Sequence, residues 1–301
     1  MVLLTALPWL NRYGRSVYSD DGGVTWTTPV LIADVFGIDG LNVASGGSSS
    51  EGVEVVVTFH VNTSEPTNAT SATWLHYSLS NDGGATWGTP PKVVSLDGGA
   101  TPAIACSMCM TKPRFDPDTG MVHISYRSAI DNVRAFRVVS ALGAETNEFK
   151  STVVNPTDNW VIDYCPMNGP QLSLTPSTGN GAGEAQYVAF MTDSANNVYW
   201  NMRDGGSSGA SSAFSSPVPT PRNEANERYP TAVGTKSQDV VMVWNVGPMA
   251  VSGTAEVKWA CWAKGNTTAA QGGLLGTSFA GTKATALAVG NDQFMILTTA
   301  A

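Results

Sequence analysis

The chain has 301 residues, 42% of them apolar and only 13% charged, with a net charge of -8. That balance excludes a nucleic-acid partner, which needs a basic face. The abundance of Gly and Pro and the nine Trp suit many short strands and tight turns rather than helices, and an all-β repeat fold of this length is expected to be one domain over 1–301.

Residues 1–10 are apolar but have no charged leading region and no small-residue cleavage site, so they make a poor signal peptide. They are also far too short to span a bilayer, and no membrane insertion is expected. A single strand around 15–19 then leads into Ser19-Asp20-Asp21-Gly22-Gly23-Val24-Thr25-Trp26. The motif returns as Ser80-Asn81-Asp82-Gly83-Gly84-Ala85-Thr86-Trp87, and both copies continue as Trp-x-Thr-Pro. Gly accepts positive φ in such a turn, and the Ser and Asp side chains hydrogen-bond nearby amides. Trp26 and Trp87 are expected to tuck inward and fill the gap between neighbouring sheets. A repeated acidic residue reads as scaffold rather than as a catalytic acid or a calcium ligand.

Asp82 lies 61 residues after Asp21, and a further Asp-Gly-Gly, at Asp204, lies twice that distance further on. The missing copy falls near 143, with Phe149 in the aromatic position, and a later one at Gly265. Strand-like runs precede each turn, at 52–61 and 74–80, 121–128 and 133–140, 185–192 and 198–203, and 239–246 and 257–263. With 283–290 and 293–299 at the end, this predicts five modules of about four antiparallel strands, closed by combining strands from both termini.

The two strong motifs resemble the Asp-box of the sialidase-like (BNR-repeat) superfamily. Cys106-x-x-Cys109, Trp160 with Cys165-Pro-x-x-Gly-Pro170, and Tyr229-Pro230 resemble bacterial-type sialidase-like BNR proteins of uncertain activity. The resemblance implies a β-propeller with one box per blade on one face and the substrate site at the axis of the opposite face. Family members have six blades, so the alternative to a closed five-bladed ring is a six-bladed propeller lacking an N-terminal blade. It also implies a glycan or glycoprotein partner, a secreted or periplasmic location with the signal peptide not in this chain, and a monomer.

The loops leading into the first strand of each module, 34–45, 96–112, 155–169 and 219–230, are therefore where chemistry is sought. Sialidases grip a carboxylate with three arginines, attack with a Tyr assisted by a Glu, and protonate with an Asp. Arg suits the first role because its planar fork pairs a carboxylate bidentately. The carried-over candidates are Arg114, Arg127 and Arg228 for the grip, Tyr229 and Glu227 for attack, and Asp39 as the acid, ahead of Asp158 and Asp163. The family's Arg-Ile-Pro signature is absent, and Lys112-Pro113-Arg114-Phe115 does not replace it. Neighbours on a strand point opposite ways, so Glu227, Arg228 and Tyr229 share one substrate only where the strand is irregular. The implied activity is exo-glycosidic, of the exo-α-sialidase type acting on terminal sugars; the alternative is a non-catalytic propeller that binds protein or carbohydrate.

Cys106, Cys109 and Cys165 sit on equivalent loops of adjacent modules, together with Met108, Met110 and Met167. A disulfide joining Cys165 to Cys106 or Cys109 is preferred over reduced thiols and over a soft metal such as copper(I) or zinc, and no cofactor is expected. Cys261, between Trp259 and Trp262, reads as a packing thiol. His60, His76 and His123 share no ligand-like spacing and read as structural.

Overall fold

The computed structural model describes residues 2–6, 13–34, 38–49, 52–62, 73–96, 100–107, 109–116, 119–142, 148–156, 160–166, 168–174, 183–192, 197–205, 213–221, 226–235, 237, 239–247, 254–279, 285–288 and 294–297. Contacts divide the chain into two compact units, Met1–Thr152 with Val161–Met167, and Val153–Trp160 with Asn168–Ala301. Nearly every described element is an antiparallel strand, and among the described residues no helix is long and apolar enough to cross a membrane.

The first unit opens with β1 (Val2–Ala6), β2 (Tyr13–Tyr18) and β3 (Val30–Asp34), paired in that order. Two strands thus precede the first box, where the spacing of motifs leaves room for only one. The second sheet contains β4 (Ile38–Ser49), β5 (Gly52–Asn62) and β6 (Thr73–Ser80). Its outer edge is split. β7 (Lys92–Val93) pairs with β6 at Tyr77 and His76; β8 (Ser95–Leu96) and β9 (Thr101–Pro102) then form a small hairpin, and β10 (Ile104–Ala105) returns to β6 at Trp74 and Thr73. The expected loop 96–112 therefore carries strand pieces before it reaches the cysteines. The third sheet is β11 (Lys112–Phe115), β12 (Met121–Arg127), β13 (Phe136–Leu142) and β14 (Lys150–Val153).

The second unit holds β15 (Gln171–Leu174), β16 (Gly183–Thr192), β17 (Asn197–Gly205) and β18 (Val218–Pro219) in one sheet. The next sheet is β19 (Glu227–Gly234), β20 (Val240–Val246), β21 (Thr254–Trp262) and β22 (Gln271–Phe279). A final hairpin joins β23 (Thr285–Ala288) to β24 (Phe294–Leu297).

Side-chain alternation explains why the middle strands read as unbroken apolar runs. On β5, Val55, Val57 and Phe59 enter a core with Ile32 and Ala33 of β3, while Val56 enters another with Ile124 and Tyr126 of β12. β20 repeats the pattern in the second unit. Met242 and Trp244 pack with Trp200 of β17, while Val241 and Val243 pack with Ala286 of the final hairpin. Each such strand is buried on both faces by neighbouring sheets, which is the packing a propeller requires.

The two boxes share one hydrogen-bond pattern, each at the turn leading into the outer strand. In the first, Asp21 accepts from the Thr25 amide (2.9 Å) and hydroxyl (2.6 Å), while Ser19 Oγ accepts from the Gly23 amide (2.7 Å). In the second, Asp82 accepts from the Thr86 amide (2.9 Å) and hydroxyl (2.6 Å), and Ser80 Oγ accepts from the Gly84 amide (2.8 Å). Gly83 and Gly84 have φ of 72° and 96°, a conformation that penalises any residue with a Cβ. Trp87 is buried against Val55 and Phe59, and its Nε1 donates to Ser16 Oγ of the neighbouring sheet (2.8 Å).

Trp26 corrects the expectation of an inward aromatic: it is 39% exposed and its Nε1 donates to the Gly23 carbonyl. Trp87 has the β1–β3 sheet to pack on, whereas Trp26 closes its own turn through the Gly23 carbonyl. The eroded copies are only partly visible. Residues 143–147 lie outside the described residues, but Phe149 is buried in the aromatic position, its ring edge-on to Tyr77. Asp204 lies within β17, one residue before its end, and Gly265 keeps the turn with φ 76°.

The boxes make stability depend on acid pH. The Thr25 hydroxyl and amide hold Asp21 well below the usual carboxylate range. Desolvation opposes the effect at Asp82, but the Thr86 and Ser80 bonds outweigh it and Asp82 is also lowered from 3.8. A lowered folded value means stabilisation present above the unfolded value and lost as pH falls below it. Thermal melts across the acid range should show Asp82→Asn less stable than wild type near neutrality, with the gap closing as pH drops below 3.8; a pH-independent gap contradicts the assignment.

Candidate functional site

Among the described residues, each unit has its own chemically distinctive cluster. In the first unit, Cys106 and Cys109 flank a turn after β10, and Cys165 arrives on segment 161–166, which the chain returns to this unit after β14. The sulfurs form a tight triangle: Cys109–Cys106 2.9 Å, Cys106–Cys165 3.3 Å and Cys109–Cys165 3.4 Å. The disulfide expected from Cys165 to Cys106 or Cys109 is not formed in this structure, because three sulfurs share the position; Cys106 and Cys109 are buried and Cys165 is half-buried. Met110 lies nearby in sequence, while Met108 and Met167 lie outside the described residues.

The backbone around the triangle is anchored without using sulfur. The Cys106 amide donates to the Arg127 carbonyl (2.8 Å), and His60 Nε2 makes a short contact with the Cys109 carbonyl. Gly40 permits that approach: with φ +66°, it sits where a Cβ would meet the His60 ring at 2.7 Å. Thr111 continues the support by donating to the Gly40 carbonyl (3.2 Å) and pairing hydroxyls with Thr58 (2.6 Å). On the other loop, the Ile162 amide donates to the Asn132 carbonyl (3.2 Å), and Arg134 Nε donates to the Tyr164 carbonyl (3.2 Å).

Burial pushes the Cys109 thiol well up, with its sulfur neighbours adding to the effect. At Cys106 the bond from Cys109 acts downward, but Cys165 and burial outweigh it and push the thiol up to about 12. Arg127 acts in the opposite direction on both. Its guanidinium is fully buried, lies 4.0 Å from the centroid of Phe136, and donates to the Arg134 carbonyl (3.4 Å). Arg114 is half-buried and donates to the Pro113 carbonyl (3.0 Å). It faces His123, whereas Arg127 faces Phe136, so the two are four residues, about 13 Å, apart along β12.

The histidines are structural. His76 stacks on Phe59 with centroids 5.8 Å apart, and His123 Nδ1 pairs with Ser140 Oγ (2.7 Å). The Asp39 backbone lies in β4 opposite His60, but its side chain, like all of Asp158, lies outside the described residues. Asp163 is exposed on the cysteine-bearing segment.

In the second unit, Glu227, Arg228 and Tyr229 open β19, and the strand is irregular there. Arg228 pairs with Asn245 and Thr231 with Val243, so Tyr229 and Pro230 together oppose the single residue Trp244. Tyr229 has φ 48°, as a bulge that re-aims a side chain requires. Glu227 is 1% exposed, and its two oxygens accept from the Val198 amide (3.0 Å) and the Thr220 hydroxyl (2.6 Å). Arg228 is 7% exposed, and its Nε and Nη2 have no hydrogen-bond partner among the described residues. Burial lowers Arg228, and Tyr229 acts in the opposite direction.

Beside this bulge lies a cavity of about 440 Å³ lined by Glu227, Trp244, Lys258, Trp259 and Gln271. Trp244 is nearly fully buried, with no partner for its Nε1 among the described residues, and exposed residues Ala270–Gly273 contribute to the rim. Lys258 Nζ pairs with Glu256 at 3.2 Å. A Cβ on Gly272 would meet the Trp259 carbonyl at 2.9 Å, so glycine lets the rim lie close to β21. Sequence reasoning missed these residues. Trp244 stands in an apolar run that signals a buried strand, and Trp259 is noticed only as a neighbour of Cys261.

No protein-family model matches the chain, and no curated protein matches it in sequence. Solved structures do match in fold. A protein of unknown function from Dyadobacter fermentans superposes with a TM-score of 0.53 at 13% identity, covering 97% of this chain and 81% of its own. A variant of the NanB sialidase from Streptococcus pneumoniae gives 0.55 at 8% identity, covering 95% of this chain. The match spans 60% of that sialidase's chain. The chain thus has the all-β, sialidase-like propeller fold.

Glu227 gives this region a direct test. Glu227→Ala leaves a buried amide and hydroxyl without acceptors and should cost about 3 kcal/mol in denaturant unfolding, while Glu227→Gln, which keeps an acceptor, should cost about 1 kcal/mol. Equal, negligible losses would show that these bonds do not hold the site.

Proposed function

We propose that this protein is a glycan-recognising propeller and that the cavity beside the β19 bulge is its sugar site. The observation that carries this reading is the cavity itself, with Trp244 and Trp259 among a few polar side chains. A sugar ring has an apolar C–H face and a rim of hydroxyls. Aromatic surface matches the first; Lys258, Gln271 and the Trp indole N–H groups match the second. The volume lies within the range of small-ligand sites. The fold shared with a sialidase supports a glycan as the ligand class.

The carboxylate in the cavity favours recognition over hydrolysis. Glycosidases commonly use two carboxyl groups, or a Tyr with its carboxylate partner, free to exchange protons or attack. Glu227 is the one carboxylate lining this cavity among the described residues, and both of its oxygens already accept hydrogen bonds. A second reading, an exo-glycosidase of sialidase type, draws on the bulge. It re-aims Tyr229 next to Arg228, whose unpaired N–H groups suit a carboxylate.

Glycan-array binding of the full chain, followed by calorimetry on the hits, tests the first reading. Trp259→Ala should weaken binding at least about tenfold while leaving the melting temperature within a few degrees; no glycan bound, or an unchanged affinity, overturns it. A fluorogenic sialoside assay tests the second. Turnover above background that is lost in Tyr229→Phe would establish hydrolysis, and background rates in both proteins would end it.

A further inference from the structure

We propose that Cys106, Cys109 and Cys165 form a three-sulfur binding site for a soft d10 metal ion, copper(I) or zinc. The proposal is independent of the glycan reading. Its first support is convergence. Three side chains from two separate segments place their sulfurs 2.9 to 3.4 Å from one another. A disulfide joins two sulfurs and leaves the third thiol crowded against the bond, whereas one ion can bond all three. An ion about 2.3 Å from each sulfur sits on the axis of this triangle.

The second support is that the triangle is held from outside. Cys106 is fixed by the Arg127 carbonyl, Cys109 by His60, and the Cys165 segment by Asn132 and Arg134. These contacts fix the backbone that carries the thiols, while the sulfurs themselves bond to one another and to the Ser107 carbonyl. Holding ligands in place before the ion arrives is how a protein raises affinity without added contacts.

The donor set selects the ion. Among the described residues, no carboxylate or imidazole joins the three sulfurs in the cluster, which disfavours magnesium and calcium. Copper(I) accepts three soft sulfur ligands, while zinc prefers a fourth ligand, and the half-buried Cys165 side leaves room for water or another small donor. Three thiolates around either ion leave a net negative charge. The fully buried Arg127 guanidinium, within electrostatic reach of Cys106 and Cys109, offsets part of it. The three thiol protons leave on binding, so affinity should rise with pH.

The test uses the full chain, reduced and desalted without oxygen, then offered copper(I) or zinc in the presence of a competing chelator. Elemental analysis should show about one ion retained per chain in at least one arm, and the arm that holds it identifies the ion. Alkylation followed by mass spectrometry should find one reactive cysteine, Cys261, of the four in the loaded protein. Cys165→Ser should weaken retention by roughly 100-fold, and Cys261→Ser should leave it unchanged. The alkylation pattern is read on wild type and stands even if Cys165→Ser folds poorly. Retention of neither ion, or cysteines 106, 109 and 165 alkylated as readily with the ion as without it, overturns the proposal.

Discussion

The middle strands β5 and β20 have two apolar faces, so each must be covered on both sides to be stable. That constraint underlies the strand patterns and the repeated turns. On β5, one set of alternate side chains enters the core shared with β3, and the other enters the core shared with β12. β20 divides its side chains in the same way between Trp200 and Ala286. An interior buried on both faces leaves little space for charge, which accounts for the low charged fraction.

The Asp-boxes serve this stacking. Each ties a turn with an aspartate and a serine, and the second places Trp87 across the gap to Ser16 of the neighbouring sheet. Trp26, with the same local chemistry, remains partly exposed. The turn therefore forms locally, while burial of its tryptophan depends on what lies beside it. In the third sheet Phe149 is buried in the position of the box aromatic.

Polar chemistry gathers where the stacking is interrupted. The split outer edge of the second sheet leads into the segment carrying Cys106 and Cys109, and the bulge at Tyr229–Pro230 breaks the β19 ladder beside the Trp-lined cavity. Both places keep buried charge. Arg127 lies against Phe136 near the thiols, and Glu227 is held by a backbone amide and a threonine. A buried charge without partners is costly, so these groups constrain their surroundings as much as they offer chemistry.

Much of the fold was legible in the sequence because its signals are local. The box repeats at a fixed spacing, strands such as 52–61 and 239–246 carry alternating or continuous apolar patterns, and Cys106-x-x-Cys109 sits in a loop recognisable from its neighbours. The equivalence of loops on adjacent modules also anticipated that Cys165 would meet the other two cysteines. Tertiary structure alone decided the rest. That Arg127 lies against Phe136 follows from the folded β12–β13 pair, that both Glu227 oxygens accept hydrogen bonds follows from Val198 and Thr220 arriving from outside β19, and that Trp244 and Trp259 line a cavity follows from the close approach allowed at Gly272. Whether an apolar or charged side chain in a strand becomes core or site depends on which sheet packs against it, and a single sequence does not encode that choice locally.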